Sequence, residues 1–525
     1  MPVRTYQPTA DLDGPPLDAP ASVLDLISAH WSSSAAAAPR AAVSGPEGEL
    51  GYRELERVSA GIAAALLDAG ARPGEPVIVR AGASAVAIAA LLGVLRAGAR
   101  FVAIDPAFPP ERQERMIAAS GARLALAGPD TGPMPAAHAD SLRVLALAQI
   151  EPADGFHGPR LSADAPAYTC FTSGSTGTPK GAVISHGAIA ASTAARLQHY
   201  PEAVTGFVLC SSLSFDSAYA GIFWTLAAGA TLLIPSERAG DLGAIGRAAA
   251  DPRASHLLIV PTLYAVALRG GLAARFARLA AVIVAGEACP RDLVRRHFEL
   301  LPQVALDNEY GPTECAVWCT VHRCSAQDAV ASGIPIGVPI PGARLRVRTA
   351  GLEPVPAGGI GELWVAGPGV AMGYAVDSAV IDPSGGGRFA VLDGERSYRT
   401  GDLVSVRPDG ALDFHGRADR QLKLGGMRIE LEEIEAALAA CPGVAEAGIG
   451  VAAGPERKVL VAAVVASGEP VSAKTLRTHL LRRVPAAAVP SAFTTVADLP
   501  RQPNGKLDRI ALDRLAAAGF SAGSR

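Results

Sequence analysis

Ten consecutive residues have the composition of an anion cradle: Thr172-Ser173-Gly174-Ser175-Thr176-Gly177-Thr178-Pro179-Lys180-Gly181. The glycines let the backbone turn sharply and approach an anion. Hydroxyls and N–H groups can donate to phosphate oxygens, and Lys180 adds charge. The spacing is not that of a P-loop NTPase. A β-rich run before the segment and a helical run after it argue against a flexible linker. A second segment, Asn308-Glu309-Tyr310-Gly311-Pro312-Thr313-Glu314, offers the Tyr310 ring for stacking and the Glu314 carboxylate for a hard divalent cation. Mg²⁺ in particular prefers few protein carboxylates alongside phosphate oxygens and water. A third, Tyr398-Arg399-Thr400-Gly401-Asp402, puts a carboxylate behind a Thr-Gly turn. There Asp402 could accept hydrogen bonds from two sugar hydroxyls or simply cap the turn. Cys315, Cys319, His322 and Cys324 are close together, but their spacing is not a common zinc pattern, and buried strand thiols fit better.

These segments need a scaffold. Short β-rich runs at 77–79, 101–104, 167–171, 208–210, 257–260 and 281–284 alternate with helical patterns at 59–68, 86–95 and 188–197. Such alternation predicts βαβ crossovers and mostly parallel sheets. From about residue 335 the texture shifts to short strands, at 345–347, 362–365, 404–406 and 411–414, separated by Gly and Pro. After Gly416 it shifts again: helix over 430–440 with Ile434 and Leu438 on one face, strand over 459–465, helix over 475–484, strand over 494–496. The expected fold class is α/β. A large N-terminal domain of βαβ-type sheets plus a small β-rich subdomain precedes a small α+β C-terminal domain. The expected boundaries are a loosely attached extension over 1–20, a core over 21–418 and the C-terminal domain over 419–525.

Composition narrows the class of function. With 525 residues, 49% hydrophobic and 18% charged, the chain can bury large cores and is not disordered. A net charge of -3 and 5% aromatics give no sign of a nucleic-acid binder. The apolar run 85–104 is interrupted by Arg96 and Arg100, so it reads as a buried helix then a buried strand rather than a membrane span. Seven scattered cysteines and a start without a signal pattern point to reduced thiols in a cytoplasmic protein.

In their order along the chain the segments resemble the adenylate-forming enzymes, and within them the amino-acid-activating adenylation domains of nonribosomal peptide synthetases. The resemblance runs from about residue 22 almost to the C-terminus. It includes Leu50-Gly51-Tyr52-Arg53-Glu54-Leu55, Ile104-Asp105-Pro106, Phe215-Asp216, Gly361-Glu362-Leu363, Gly416-Arg417-Ala418-Asp419-Arg420-Gln421 and Asn504-Gly505-Lys506-Leu507-Asp508-Arg509. It implies ATP-dependent formation of an aminoacyl-AMP, with pyrophosphate release. Transfer to the phosphopantetheine thiol of a carrier protein follows, the carrier acting in trans unless the chain is cut from a larger synthetase. It implies Mg²⁺ on Glu314 and, in some members, an MbtH-like helper protein. Lys506, Glu314 and Thr172 would be catalytic, with Lys506 bridging substrate carboxylate and α-phosphate. ATP would meet Thr172, Ser173, Gly174, Ser175, Thr176, Gly177, Lys180, Tyr310 and Phe414, with Asp402 and Arg417 at the ribose. Asp419 would be the hinge on which the C-terminal domain turns between adenylation and thioester formation.

Asp216 separates the subclasses. A buried carboxylate beside Phe215 is costly unless paired, and a substrate α-ammonium would supply the pair. Fatty-acyl and aryl relatives have no amine to gain from it. The same motifs map a side-chain pocket onto Ser217, Ala220, Leu258, Ile283, Ala285, Glu309, Val317 and Trp318. Glu309 either accepts a hydrogen bond from a polar tip that Trp318 stacks upon, or points away and leaves an apolar pocket. A polar-tipped or aromatic amino acid is preferred. The alternative is a coenzyme-A ligase of the same superfamily, against which Asp216 and the segment 428–435 argue. A non-catalytic sensor is opposed by the retention of Lys506, Glu314 and Asp402.

Overall fold

The apolar run at 85–104 divides where its arginines fall. Ser84 caps the helix Ala85–Arg96 by accepting from the Ala87 N–H (3.2 Å), and the strand Arg100–Ile104 follows. Both arginines are buried with acceptors in place. Arg96 donates to the Glu56 carbonyl (2.6 Å) and the Ser59 hydroxyl (2.8 Å), and Arg100 to the Gly74 carbonyl (3.0 Å). Acceptors at the charged end offset part of the cost of bringing a guanidinium into a core. This computed structural model describes residues 11–31, 40–129, 131–138, 141–172, 179–236, 238–356, 358–376, 379–381, 388–453, 458–501 and 507–523.

Two large sheets carry the first part of the chain. One has eight strands, with Arg100–Ile104 between Pro166–Thr172 and Pro76–Arg80. The other has nine, and its central strands Ala305–Tyr310, Ala281–Ala285, His256–Ile259 and Gly206–Val208 run parallel. The helices His186–His199 and Asp216–Ala227 share one apolar core with the inner faces of both sheets, through residues such as Phe101, Ile184, Ile222, Phe207 and Ile283. Gly221 allows the second helix to close onto its sheet, since a Cβ there would come within 2.1 Å of the Phe207 ring. This is the alternating α/β architecture expected of the sequence.

A third, antiparallel sheet of six strands forms the β-rich part, around Ile360–Ala366 and the long strand Glu395–Val406. Sequence pattern exposed only the end of that long strand, because its first half is largely polar. The expected strand at 208–210 ends at Val208 instead, and the residues after it form a loop that side chains hold. Residues 11–13, read as part of a loose extension, pair with Arg344–Arg348 as an edge strand. Asp11 binds Arg348 (2.6 Å) and Asp13 binds Arg346 (2.7 Å).

The chain separates into two compact units. The first is Met1–Pro106, Ser120–Phe171 and Gly181–Asp419; the second is Ala107–Ala119, Thr172–Lys180 and Arg420–Arg525. The second contains a three-stranded sheet of Val444–Ala453, Lys458–Ala466 and Ala492–Thr495. Its helices include Leu431–Ala439, whose Ile434 and Leu438 are buried as their spacing predicted. Among the described residues no helix is long and apolar enough to cross a membrane.

Candidate active site

In-register parallel pairing builds the floor of the site. Leu258 pairs with Ile283, Ile283 with Asp307 and Ala285 with Glu309. Residues so paired point to the same face of a sheet, and this face turns towards the core that holds Ala220, Trp224 and Trp318. Asp216 is the first residue of the helix Asp216–Ala227, which shares that core, with Ser217 next in sequence and Ala220 one turn on. The loop ahead of Asp216 is pinned by its own side chains. Ser214 Oγ accepts from the Asp105 N–H (2.7 Å) and donates to the Ala103 carbonyl (3.1 Å). Tyr219 OH donates to the Leu213 carbonyl (2.6 Å).

Asp216 is half-buried, less enclosed than the sequence suggested. It sits where the helix dipole favours an anion. Around it, burial and then the Asp216 charge push the Tyr168 phenol and the Cys170 thiol well above their ordinary values, so both stay protonated.

Glu309 is buried and its carboxylate is taken. Arg196, from the helix His186–His199, binds it through both terminal nitrogens (2.5 and 2.8 Å), and Tyr200 OH donates to it as well. The guanidinium of Arg196 lies 4.2 Å from the Trp318 ring centre. Sequence reasoning missed Arg196 and Tyr200. The signal was present: a lone arginine on the same helix stripe as Ile189 and Ser192, in an Ala-rich stretch that is otherwise buried.

Asp402 and Tyr310 come together from separate strands. Tyr310 OH donates to one Asp402 oxygen and Arg417 binds the other (2.5 Å). Arg417 also holds Asp419 (2.6 and 2.8 Å), and Arg388 adds a further bond to Asp419 (2.7 Å). Gly401 makes room for this cluster: it has φ +78°, and a Cβ would fall within 2.6 Å of Arg388 Nη1. Phe414 lies on the neighbouring strand, Leu412–Arg417, and is exposed.

Glu314 is wholly buried in the turn Thr313–Cys315 and accepts from Tyr374 OH (2.7 Å). Among the described residues no group of three or more His, Cys, Asp and Glu could hold a metal by itself. A lone carboxylate fits Mg²⁺, whose remaining ligands would be phosphate oxygens and water. After Glu314 the backbone is strained: Ala316 has φ +48° and Val317 φ +87°, a region that a β-branched residue rarely enters. Gly311 allows the loop to fold back here, since a Cβ would lie 2.4 Å from Trp318 Cα. Cys315, Cys319 and Cys324 are buried free thiols, and His322 pairs instead with Asp328 (3.3 Å).

Thr172 ends the strand Pro166–Thr172 and donates to the Lys180 carbonyl (3.3 Å), so the two ends of the Ser/Thr/Gly loop are joined. Ser173, Gly174, Ser175, Thr176 and Gly177 lie outside the described residues, as does Lys506.

A family model described as AMP-binding enzyme matches residues 31–375, and one for the AMP-binding enzyme C-terminal domain matches 433–506. The chain belongs to the AMP-binding enzyme family. It is 38% identical over 506 residues to the phosphinothricin tripeptide synthetase PhsC of Streptomyces viridochromogenes, covering 92% of this chain and 44% of PhsC. It is 37% identical over 502 residues to CymA of Salinispora arenicola, a probable non-canonical nonribosomal peptide synthetase, covering 92% of this chain but 6% of CymA. The chain thus spans less than half of these relatives. With novobiocin biosynthesis protein H of Streptomyces niveus it shares 37% identity over 92% of this chain and 81% of that protein. Among solved structures, NpsA-ThdA, an artificially fused adenylation-PCP di-domain NRPS from Klebsiella oxytoca, superposes with a TM-score of 0.80 at 25% identity. That match covers 91% of this chain and 94% of the other. Like the family, this AMP-binding enzyme is an AMP-forming ligase.

Proposed function

We propose that this AMP-binding enzyme activates an amino acid with ATP and passes it to the thiol of a carrier protein. A carboxylate oxygen of the amino acid attacks the α-phosphorus, pyrophosphate leaves and the aminoacyl-AMP forms. A phosphopantetheine thiolate then attacks the acyl carbon, AMP leaves and a thioester forms.

One observation carries the amino-acid reading. Asp216 stands half-buried at the start of a helix that shares one apolar core with Leu258, Ile283 and Ala285. An ammonium is the group that such an anion next to an apolar wall would bind, and an acyl substrate without an amine gains nothing there. Asp402 and Arg417 hold the ribose, and the Tyr310 ring and Phe414 flank the base. Thr172, Lys180 and the hydroxyls of the intervening loop take the phosphates. Lys506 would bring its ammonium to the two anions that must meet and stabilise charge developing in the transition state. Mg²⁺ would be held by Glu314 and would draw charge from the leaving pyrophosphate. Asp419, the last residue of the first unit, is the pivot of domain rotation.

The relatives named as peptide synthetases and the adenylation-PCP structure support both halves of this reading. ATP–pyrophosphate exchange over a panel of amino acids tests the first half, with an MbtH-like protein as an added component. Intact-mass detection of an acylated carrier, against free coenzyme A as competitor, tests the second. Exchange with no amino acid, or only with acids lacking an amine, refutes the assignment.

A further inference from the structure

The two features that sequence alone offered to a polar substrate tip, the Glu309 carboxylate and the Trp318 ring, are both in use inside the protein. Glu309 and Arg196 are each 1% exposed and meet as a bidentate pair. Bidentate Arg–carboxylate pairing is strong and directional. Tyr200 OH adds a third donor to the carboxylate. The guanidinium carbon sits 4.2 Å from the Trp318 ring centre and 5.9 Å from that of Trp224. Tyr200 in turn stacks on Trp224 (4.9 Å) and Trp318 (6.0 Å), so an aromatic box encloses the pair. Register fixes where this box lies: Glu309 pairs with Ala285 at the end of the face that carries Ile283 and Leu258.

We propose that Arg196 sets the charge selectivity of the amino-acid pocket: by holding Glu309 it converts an acidic floor into a neutral, aromatic one, so the site accepts an uncharged side chain and rejects a cationic one. This rests on the amino-acid reading of the site given above. Arg196 touches Glu309 rather than substrate and is a positioning residue. A cationic side chain gains nothing from a carboxylate whose charge is already matched, and it must still shed its water to enter. An anionic side chain meets a guanidinium whose terminal nitrogens are committed. An aliphatic or aromatic side chain asks nothing of the pair and buries its area against the apolar face.

The test is ATP–pyrophosphate exchange with the full chain over uncharged, cationic (lysine, ornithine, arginine) and acidic amino acids. The wild type should favour an uncharged side chain over any cationic one by on the order of 100-fold in kcat/KM. A cationic amino acid as best substrate overturns the inference and leaves amino-acid activation standing, whereas exchange with no amino acid defeats the parent reading. Arg196→Met and Glu309→Gln should then move selectivity in opposite directions. The first releases the carboxylate and raises the cationic-to-acidic ratio by about tenfold or more; the second releases the guanidinium and lowers it. A merely structural role would reduce all substrates alike and keep the ratio, which would also overturn the inference. Each single change leaves one buried charge unmatched and so puts folding itself at risk. The wild-type panel and the double variant Arg196→Met/Glu309→Leu, which removes both charges, keep the test decisive. In the double variant the cationic-to-acidic ratio should return towards that of the wild type, and a ratio shifted as far as in either single variant counts against the pair.

Discussion

Replacing Asp216 by asparagine keeps size and dipole and removes one charge. At about 3 Å and an effective dielectric of about 20, an ammonium and a carboxylate attract by roughly 5 kcal/mol. Part of that is offset by desolvation of the ammonium. Asp216 is half-buried and not sealed, which weakens the attraction further. The net loss should be about 2–4 kcal/mol, or about 30- to 1,000-fold in kcat/KM for the amino acid. Fold stability should change by no more than about 2 kcal/mol, the upper range for a charge at a partly buried helix start. The decisive comparison is with the desamino analogue of the same substrate, measured by pyrophosphate release. Wild type should strongly prefer the amino acid. The Asp216→Asn enzyme should lose most of that preference and treat the analogue no worse than the wild type does. An equal loss on both substrates would mean that Asp216 acts through the pinned loop at 209–215 and not on an ammonium, and the reasoning would fail.

Lys506→Ala should reduce adenylation by about 100- to 1,000-fold, as loss of a preorganised group facing developing charge does elsewhere. It should spare thioester formation from supplied aminoacyl-AMP, and unchanged pyrophosphate exchange would refute the role. Gly311→Ala should destabilise the first unit by about 3 kcal/mol or more in chemical denaturation, because its Cβ would lie 2.4 Å from a backbone atom, Trp318 Cα; a neutral effect would mean the loop yields freely. His186 is fully buried, and burial holds its imidazole down at about 4. The fold accepts the neutral ring, so its contribution to stability is complete above the ordinary 6.5 and is lost as pH falls through 4. Measured against His186→Gln, the wild type should therefore lose about 3 kcal/mol of relative stability between pH 7.5 and pH 4, and parallel stability–pH curves for the two proteins would contradict this.

Local signals carried a large part of the fold. The run at 85–104 declared its own break through Arg96 and Arg100, and the alternating runs at 257–260 and 281–284 marked strands His256–Ile259 and Ala281–Ala285 to within a residue. Elements defined by their partners stayed hidden. The strand Glu395–Val406 begins Glu-Arg-Ser-Tyr-Arg-Thr, a string with no apolar alternation, and is a strand because Ile360–Ala366 and Phe389–Leu392 flank it. Asp11–Asp13 is a strand because Arg344–Arg348 offers it an edge and two arginines, more than 300 residues away in sequence.

The same division runs through the site. Carboxylates were visible because their motifs are local: Glu309, Glu314, Asp402 and Asp419 stand in recognisable strings. Their cations and donors were not visible. Arg196 lies 113 positions from Glu309, Tyr374 lies 60 from Glu314, and Arg388 lies 31 from Asp419. A carboxylate read in isolation looks available to substrate, and only its partners decide whether it is. Glu309 is enclosed with a matched guanidinium, while Asp402 and Asp419 share Arg417. Asp216 is half-buried, whereas Glu309 is buried. Engaging Glu309 would first require breaking its buried pair with Arg196. Under the amino-acid reading proposed above, the ammonium falls to the half-buried Asp216, and the variable side chain meets an interior in which the Glu309 charge is already matched.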